Sequence, residues 1–196
     1  MKNSIFLGTG NAGKLKEILF YLERFHIFKG FKTLTPSNFD HLGEPLENGV
    51  TFEENAKLKS NFFFKATNIL SLSDDSGLMV GKLNGYPGIK TARVAKDLGG
   101  EQKVIDYIFS KFKKEHYLEA TFHCAIALIG DGKNLICSGK IKGSIIPAPR
   151  GNKGFGYDPY FIPENSSVTF AEMAIEEKLL LSHRFDAFKV LANQML

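Results

Sequence analysis

The segment from Ile5 to Phe25 does most to limit the folds open to this chain. Ile5 to Leu7 reads as a short buried strand, Gly8-Thr9-Gly10-Asn11-Ala12-Gly13-Lys14 as a glycine-rich turn, and Leu15, Ile18, Leu19, Leu22 and Phe25 recur at helical spacing. A strand, loop and helix in that order open an α/β layer structure. Thr51 and Glu54 have capping-box spacing and start a helix that runs through about Asn68. A strand near Ile69 to Ser73 then delivers Asp74 and Asp75 at its end, where Ser76-Gly77 turns the chain. Asn84-Gly85-Tyr86-Pro87-Gly88 marks a turn-rich loop, and Glu101 to Lys114 resumes a helical pattern.

Thr121 to Ile129 and Leu135 to Ile141 read as strands joined through Asp131-Gly132, a hairpin signal, so the sheet contains an antiparallel pair and is mixed. Gly143 to Gly156 is loop-like. Thr169 and Glu172 repeat the capping-box spacing, and Phe185, Phe188, Leu191, Ala192 and Met195 put an apolar stripe on a C-terminal helix. No repeat or linker divides the chain, so residues 1–196 are read as one α/β domain, with room for two lobes around a cleft.

Eighteen Phe and no Trp make Phe the main aromatic filler of the core. A net charge of +4, from 25 basic and 21 acidic residues without a basic stripe, argues against a duplex-binding surface and suits a local site for a small polyanion. Cys124 and Cys137 lie outside any ligand-spaced motif and read as buried reduced thiols. Met1-Lys2-Asn3-Ser4 leads into too few apolar residues for a signal peptide, and no apolar stretch has transmembrane length, so the expected compartment is the cytoplasm.

Four separated segments carry the chemistry. The glycine loop matches both the dinucleotide pattern G-x-G-x-x-G and the P-loop pattern G-x-x-x-x-G-K. Leu15 stands where a P-loop places the Ser or Thr that holds Mg²⁺, and the first acidic residue suited to the dinucleotide reading, Asp40, comes late and in a loop-like context. The physics common to both survives: glycines let backbone N–H groups approach a phosphate, the helix N-terminus adds positive potential, and Lys14 adds a charge. Asp74-Asp75 is a carboxylate pair suited to Mg²⁺ and to activation of water, with Glu44, Glu47, Glu53 and Glu54 as candidate further ligands.

Gly154-Phe155-Gly156-Tyr157-Asp158-Pro159 offers aromatic rings for a purine to stack on. Lys178, Ser182, His183 and Arg184 offer donors for a keto oxygen, which an amino group on the base would leave unpaired. Taken singly, Lys59 reads as a surface lysine, and Arg93 as a tie for the loop around Pro87. Together these parts point to an enzyme acting on free nucleotides.

Read in order, Thr9-Gly-Asn-x-x-Lys14, Thr51-Phe-x-Glu-Asn-Ala-x-x-Lys59, Asp74-Asp-Ser-Gly-Leu78, Pro87-Gly-x-x-Thr-Ala-Arg93, Gly154-Phe-Gly-Tyr-Asp-Pro159, Ala171-Glu-Met, Glu176-Glu-Lys178 and Ser182-His-Arg184 resemble the inosine triphosphate pyrophosphatase family. The resemblance implies Mg²⁺-dependent hydrolysis of inosine, deoxyinosine and xanthosine triphosphates to the monophosphate and pyrophosphate. It implies an elongated two-lobed fold around a long mixed β-sheet, a site in the cleft, and a homodimer without stable nucleic-acid or membrane partners. It makes Asp75 the proton acceptor and sets Asp75, Asp74 and Glu47 at the metal. Thr9, Gly10, Asn11, Ala12, Gly13, Lys14 and Lys59 would hold phosphates, and Ser76, Phe155, Gly156, Tyr157, Asp158, Lys178, His183 and Arg184 would line the nucleoside site. Two departures stand out: Leu46-Glu47-Asn48-Gly49 replaces the Glu-Glu-Thr-Gly of many bacterial relatives, leaving Glu47 to serve, and Thr91 replaces Ser.

Two other readings stay open. A P-loop-type ATPase or kinase would release or transfer orthophosphate, and Leu15 argues against it. A nucleotide sensor or single-strand binder would bind without turnover and leave the carboxylate pair without a task.

Overall fold

The computed structural model describes residues 3–26 and 28–195; Met1 and Lys2, part of the opening run considered above, lie outside them. In chain order the elements are β1 (Ser4–Leu7), α1 (Ala12–Phe25), β2 (Lys32–Leu34), α2 (Phe52–Thr67), β3 (Leu70–Val80), β4 (Tyr86–Pro87), α3 (Thr91–Leu98), α4 (Glu101–Ser110), β5 (Leu118–Gly130), β6 (Lys133–Ile145), β7 (Phe161–Pro163), α5 (Ile175–Leu181) and α6 (His183–Met195). The sheet runs β2-β1-β3-β5-β6-β7, with β4 paired to β3. β1 is parallel to β2 and to β3, whereas β4 on β3 and β7 on β6 are antiparallel, so the sheet is mixed as expected.

The chain divides into two compact units, each discontinuous in sequence: Met1–Asp75, Cys124–Gly139 and Arg184–Leu196 in one, Ser76–His123 and Lys140–His183 in the other. Each has its own Phe-rich core. In the first, Phe6, Leu34, Phe63 and Ile69 pack with Phe39, Leu42 and Phe62, and Tyr21 on α1 meets Phe188 on α6 at 5.1 Å between ring centres. In the second, Leu78 and Val80 of β3 pack with Val104, Ile105 and Ile108 of α4 and with Phe122, Phe161 and Phe170.

Local sequence explains the boundaries that position the site. Thr51 Oγ1 accepts the Glu54 N–H at 3.1 Å, and Asn68 closes α2 with φ 54°, so the helix falls where its capping residues put it. Asp131 and Gly132, at φ 50° and 77°, form the two-residue turn between β5 and β6, which are both longer than their apolar cores alone indicate.

The main departure is β3. The sequence ends this strand before the carboxylates, but Ser76-Gly77 does not turn the chain; the strand continues to Val80. Two forces hold it extended. Leu78 and Val80 are fully buried on alternate positions, and the Leu78 N–H donates to Thr91 Oγ1 at 3.0 Å while Met79 and Val80 pair with β4. Elsewhere the Thr169/Glu172 box closes a turn, with α5 beginning only at Ile175, and α4 stops at Ser110 rather than Lys114. The short elements β2, α3 and β7 carry too few residues to show a period.

Candidate active site

Because β3 runs straight through Asp74 and Asp75, its two-residue period sends these neighbouring side chains to opposite faces. Their closest contacts differ, although Lys14 and Lys59 act electrostatically on both. Asp74 Oδ2 lies 3.1 Å from Lys14 Nζ on α1 and 3.1 Å from Arg184 Nη2 on α6, and the same guanidinium pairs with Glu17 of α1. Asp75 Oδ2 accepts from Asn55 Nδ2 at 3.1 Å, and its Oδ1 is 3.7 Å from Lys59 Nζ. Asn55 and Lys59 lie one turn apart on the buried face of α2, together with Phe52, Ala56 and Phe63. The Lys59 ammonium also reaches Glu47 Oε1 at 3.3 Å, so the loop before α2 brings a second carboxylate to the same cation.

Burial and charge separate the two aspartates. Burial by itself would raise the Asp74 carboxyl, but Lys14, Arg184 and Lys59 overcome it and hold the group well below the usual carboxylate range. Asp75 moves the other way: burial raises it, and Lys59, Lys14 and the Asn55 hydrogen bond offset this only in part. Burial would lower Lys59, but Asp74, Asp75 and Glu47 outweigh it, so the amine stays charged. For Arg184, burial is likewise outweighed by Glu17 and Asp74. Cys124, 4.0 Å from Asp74 Oδ2, is a buried free thiol pushed up to about 12 by burial, and Cys137 is also free and buried, as the sequence indicates.

The phosphate loop caps α1. Asn11 Oδ1 accepts the Lys14 N–H at 3.0 Å, the Asn11 N–H reaches Thr9 Oγ1 at 3.2 Å, and Gly10, Asn11 and Ala12 are exposed at the helix end beside half-buried Thr9 and Gly13. The N–H groups of this first turn and Lys14 form the electropositive end of a 14-residue helix.

The nucleoside-site candidates of the second unit form another cluster. Asp158 Oδ2 accepts the Phe155 N–H at 2.8 Å and pairs with Lys178 Nζ at 2.5 Å. The ammonium lies 4.7 Å from the centre of the half-buried Phe155 ring. Gly154 has φ 76°, and a Cβ there would run into Asp158, so this turn needs glycine. His183 stacks on Phe122 at 4.9 Å. Ser76 is half-buried on β3, directly after Asp75, and Gly156 is half-buried in the Phe155 turn.

Three placements depart from expectation. Tyr157, expected as part of the stacking platform, is a core ring at 5% exposure whose hydroxyl has no hydrogen-bond partner among the described residues, and burial raises that phenol. Arg184, expected among the base donors, is 1% exposed and serves Asp74 and Glu17. Asp74, expected with Asp75 and Glu47 at the metal, faces Lys14 and Arg184 because a fully buried carboxylate needs counter-charge.

The structure also ranks the glutamates. Glu44 is exposed, Glu53 accepts from Ser138 at 2.5 Å and Glu54 from the Val50 N–H at 2.7 Å, whereas Glu47 converges with Asp75 on Lys59. Among the described residues no three His, Cys, Asp or Glu side chains form a metal-binding group. An oxygen pair fits Mg²⁺, which takes one or two carboxylates and completes its shell with water and substrate phosphate. Glu17 and Asn55 receive no site role from the sequence, although Asn55 stands inside the motif from Thr51 to Lys59. Each is a polar residue on the buried face of a helix, and that is the signal that marks them.

A helix N-terminus, two divided carboxylates and a lysine-capped aromatic turn on a mixed α/β sheet define a nucleotide-handling protein. A family model for the Ham1 family matches residues 5–194, and the chain belongs to that family. It is 38% identical over 190 residues to a dITP/XTP pyrophosphatase of Streptomyces coelicolor, covering 95% of this chain and 94% of the relative. With the dITP/XTP pyrophosphatase of Bacillus subtilis it shares 37% identity over 196 residues, 98% of this chain and 96% of the other. Among solved structures, the Staphylococcus aureus Ham1 protein superposes with a TM-score of 0.84 at 33% identity, covering 98% of this chain and 97% of that one. A HAM1 protein from Coxiella burnetii gives 0.82 at 33% identity, with 98% of each chain covered.

Proposed function

We propose that this protein hydrolyses inosine, deoxyinosine and xanthosine triphosphates to the nucleoside monophosphate and pyrophosphate, removing non-standard purines before they enter DNA or RNA. The observation that carries the reading is the division of labour on β3: Asp74 is locked to Lys14 and Arg184, while Asp75 stands beside Lys59 and Glu47 with a raised carboxyl. A raised carboxylate in a cationic surround is a suitable general base.

In this reading Asp75 accepts a proton from water as the water oxygen bonds to phosphorus and the bond to the pyrophosphate leaving group breaks. The first turn of α1, from Thr9 to Lys14, and Lys59 bind phosphate oxygens and neutralise their charge. Glu47 and Asp75 would hold Mg²⁺. When bound, the ion supplies further charge neutralisation on the phosphates and on the departing pyrophosphate.

The Phe155 ring takes the purine face, and Lys178 and His183 supply donors near its keto oxygen. Ser76, Gly156 and Asp158 shape that pocket. An adenine amino group would leave those donors unpaired, which is the source of rejection. The same reading makes the protein a homodimer that acts on free nucleotides in the cytoplasm, apart from nucleic acid. Among the described residues no helix is long and apolar enough to cross a membrane.

Product analysis tests this. The purified protein with Mg²⁺ is given inosine, xanthosine, guanosine and adenosine triphosphates separately, and pyrophosphate and orthophosphate are followed. Monophosphate and pyrophosphate from the first two, with little from the others, is the expected result. Orthophosphate from ATP, or no turnover at all, overturns the reading.

A further inference from the structure

The geometry points to Asn55 as a positioning residue for hydrolysis, whose side-chain amide fixes the Asp75 carboxylate and the Glu47 loop to each other. Asn55 is 2% exposed on the inner face of α2. Its Oδ1 accepts the Gly49 N–H at 2.8 Å, and its Nδ2 donates to Asp75 Oδ2 at 3.1 Å. The amide orientation is set by chemistry: a backbone N–H can only donate, so the atom facing Gly49 is the oxygen, and the NH₂ group necessarily faces the carboxylate.

The consequences reach both carboxylates of the candidate metal pair. Occupying Asp75 Oδ2 leaves Oδ1 as the oxygen turned toward Lys59, the cation that Glu47 also meets. Gly49 follows Glu47 by two residues, so its bond to Asn55 pins the loop that presents Glu47. The approach is close: a Cβ at Gly49 would come within 2.7 Å of Glu54 Cβ and 2.8 Å of Asn55 Oδ1. Packing alone does not call for an amide here. The other buried positions of α2 are Phe52, Ala56, Lys59, Ser60 and Phe63, and an apolar side chain packed beside Phe52 and Ala56 would avoid the desolvation cost of a polar one. Both ends of the amide are instead spent on groups that serve the reaction, as outer hydrogen bonds orient metal ligands in other enzymes.

This inference rests on Asp75 being the proton acceptor, so Asp75→Asn is measured alongside. Asn55→Ala removes both hydrogen bonds. Asn55→Asp keeps the shape and the acceptor for Gly49 but turns a carboxylate oxygen toward Asp75, and it serves if the Ala variant folds poorly. For each folded variant the readouts are kcat and KM for inosine triphosphate, the Mn²⁺ dissociation constant of the nucleotide-free protein by electron paramagnetic resonance, and the melting temperature.

The expected result is a loss of about tenfold or more in kcat for both variants with KM little changed, and Mn²⁺ binding weakened by about tenfold in Asn55→Ala. Turnover and Mn²⁺ affinity both within about twofold of wild type, with only the melting temperature lowered, would make Asn55 a packing residue and overturn the inference. Retained turnover in Asp75→Asn would sink the base assignment itself. An inactive Asp75→Asn beside unaffected Asn55 variants would remove Asn55 alone.

Discussion

Replacing Arg184 with Met withdraws one cation from two carboxylates that cannot reach water. The Asp74 side chain has 0% exposure and that of Glu17 8%, and Arg184 itself is 1% exposed. Met nearly fills the space, so cavity formation adds little and the cost is electrostatic. Removing one partner of a buried ion pair costs about 3–5 kcal/mol. For a chain of this size each kcal/mol lowers the melting temperature by about 2–4 °C, so the variant should melt about 6–20 °C lower near neutral pH. Thermal unfolding followed by circular dichroism measures this directly.

The pH dependence adds a sign. In the wild type Asp74 is held below its ordinary value of 3.8, so it contributes stability that is full above that value and is lost as pH falls toward its folded value. Without Arg184 this depression weakens. The deficit of Arg184→Met should therefore be largest near neutrality and narrow as the pH drops below the ordinary aspartate value, where Asp74 without the guanidinium takes up a proton. Adding Glu17→Met should restore part of the loss, because a buried carboxylate deprived of the guanidinium disappears while Lys14 and Lys59 still act on Asp74. A fall of less than about 2 °C near neutral pH would refute the argument, because it would mean the pair costs as much to desolvate as it returns. So would a deficit that does not change with pH.

Other perturbations follow from the same geometry. Because burial raises the Asp75 carboxyl and the base must be ionised, kcat/KM at low metal should fall through a midpoint above 3.8 as the pH is lowered, and added Mg²⁺ should move that midpoint down; a midpoint at or below 3.8 at low metal counts against Asp75 as base. Gly154→Ala forces a side chain into φ 76° and against Asp158, so it should raise KM for inosine triphosphate with the fold retained; kinetics unchanged from wild type would show that the turn does not hold the base. Phe155→Ala should weaken nucleotide binding by about 1–3 kcal/mol, measured by calorimetry with a non-hydrolysable analogue, and equal affinity would remove Phe155 as the platform.

Some of this molecule was legible in its residues and some was not, for identifiable reasons. The glycine loop, the capped start of α2, the Asp131-Gly132 turn and the stripe on α6 are local features, in which turn chemistry and periodicity act within a few residues. The sense of the sheet as mixed followed from the hairpin. The end of β3 is not legible because Ser-Gly is an ordinary turn signal, and what overrides it, pairing with β4 and the reach of Thr91, 13 residues beyond Leu78, comes from later in the chain. The motif residues were named from the sequence, but their grouping was not. Arg184 lies beside Lys178 in sequence terms yet pairs with Glu17, 167 residues away. Asn55, although inside a motif, and Glu17 carry no role in the sequence because a polar residue on a buried helix face shows its purpose only once its partner is known.

The alternation of Asp74 and Asp75 makes their roles a matter of parity. In an extended strand, counting one residue forward exchanges the two faces, so inserting or deleting a single residue among positions 70–73 of β3 would present Asp75 to Lys14 and Arg184, or Asp74 to Asn55 and Lys59, as the register shifts. The charge composition would be unchanged and both aspartates still present, yet each would lie on the face that the other holds now. Single-residue length changes before the pair should therefore be far more damaging than conservative substitutions there, and compensated pairs of insertions and deletions should recover what either alone destroys.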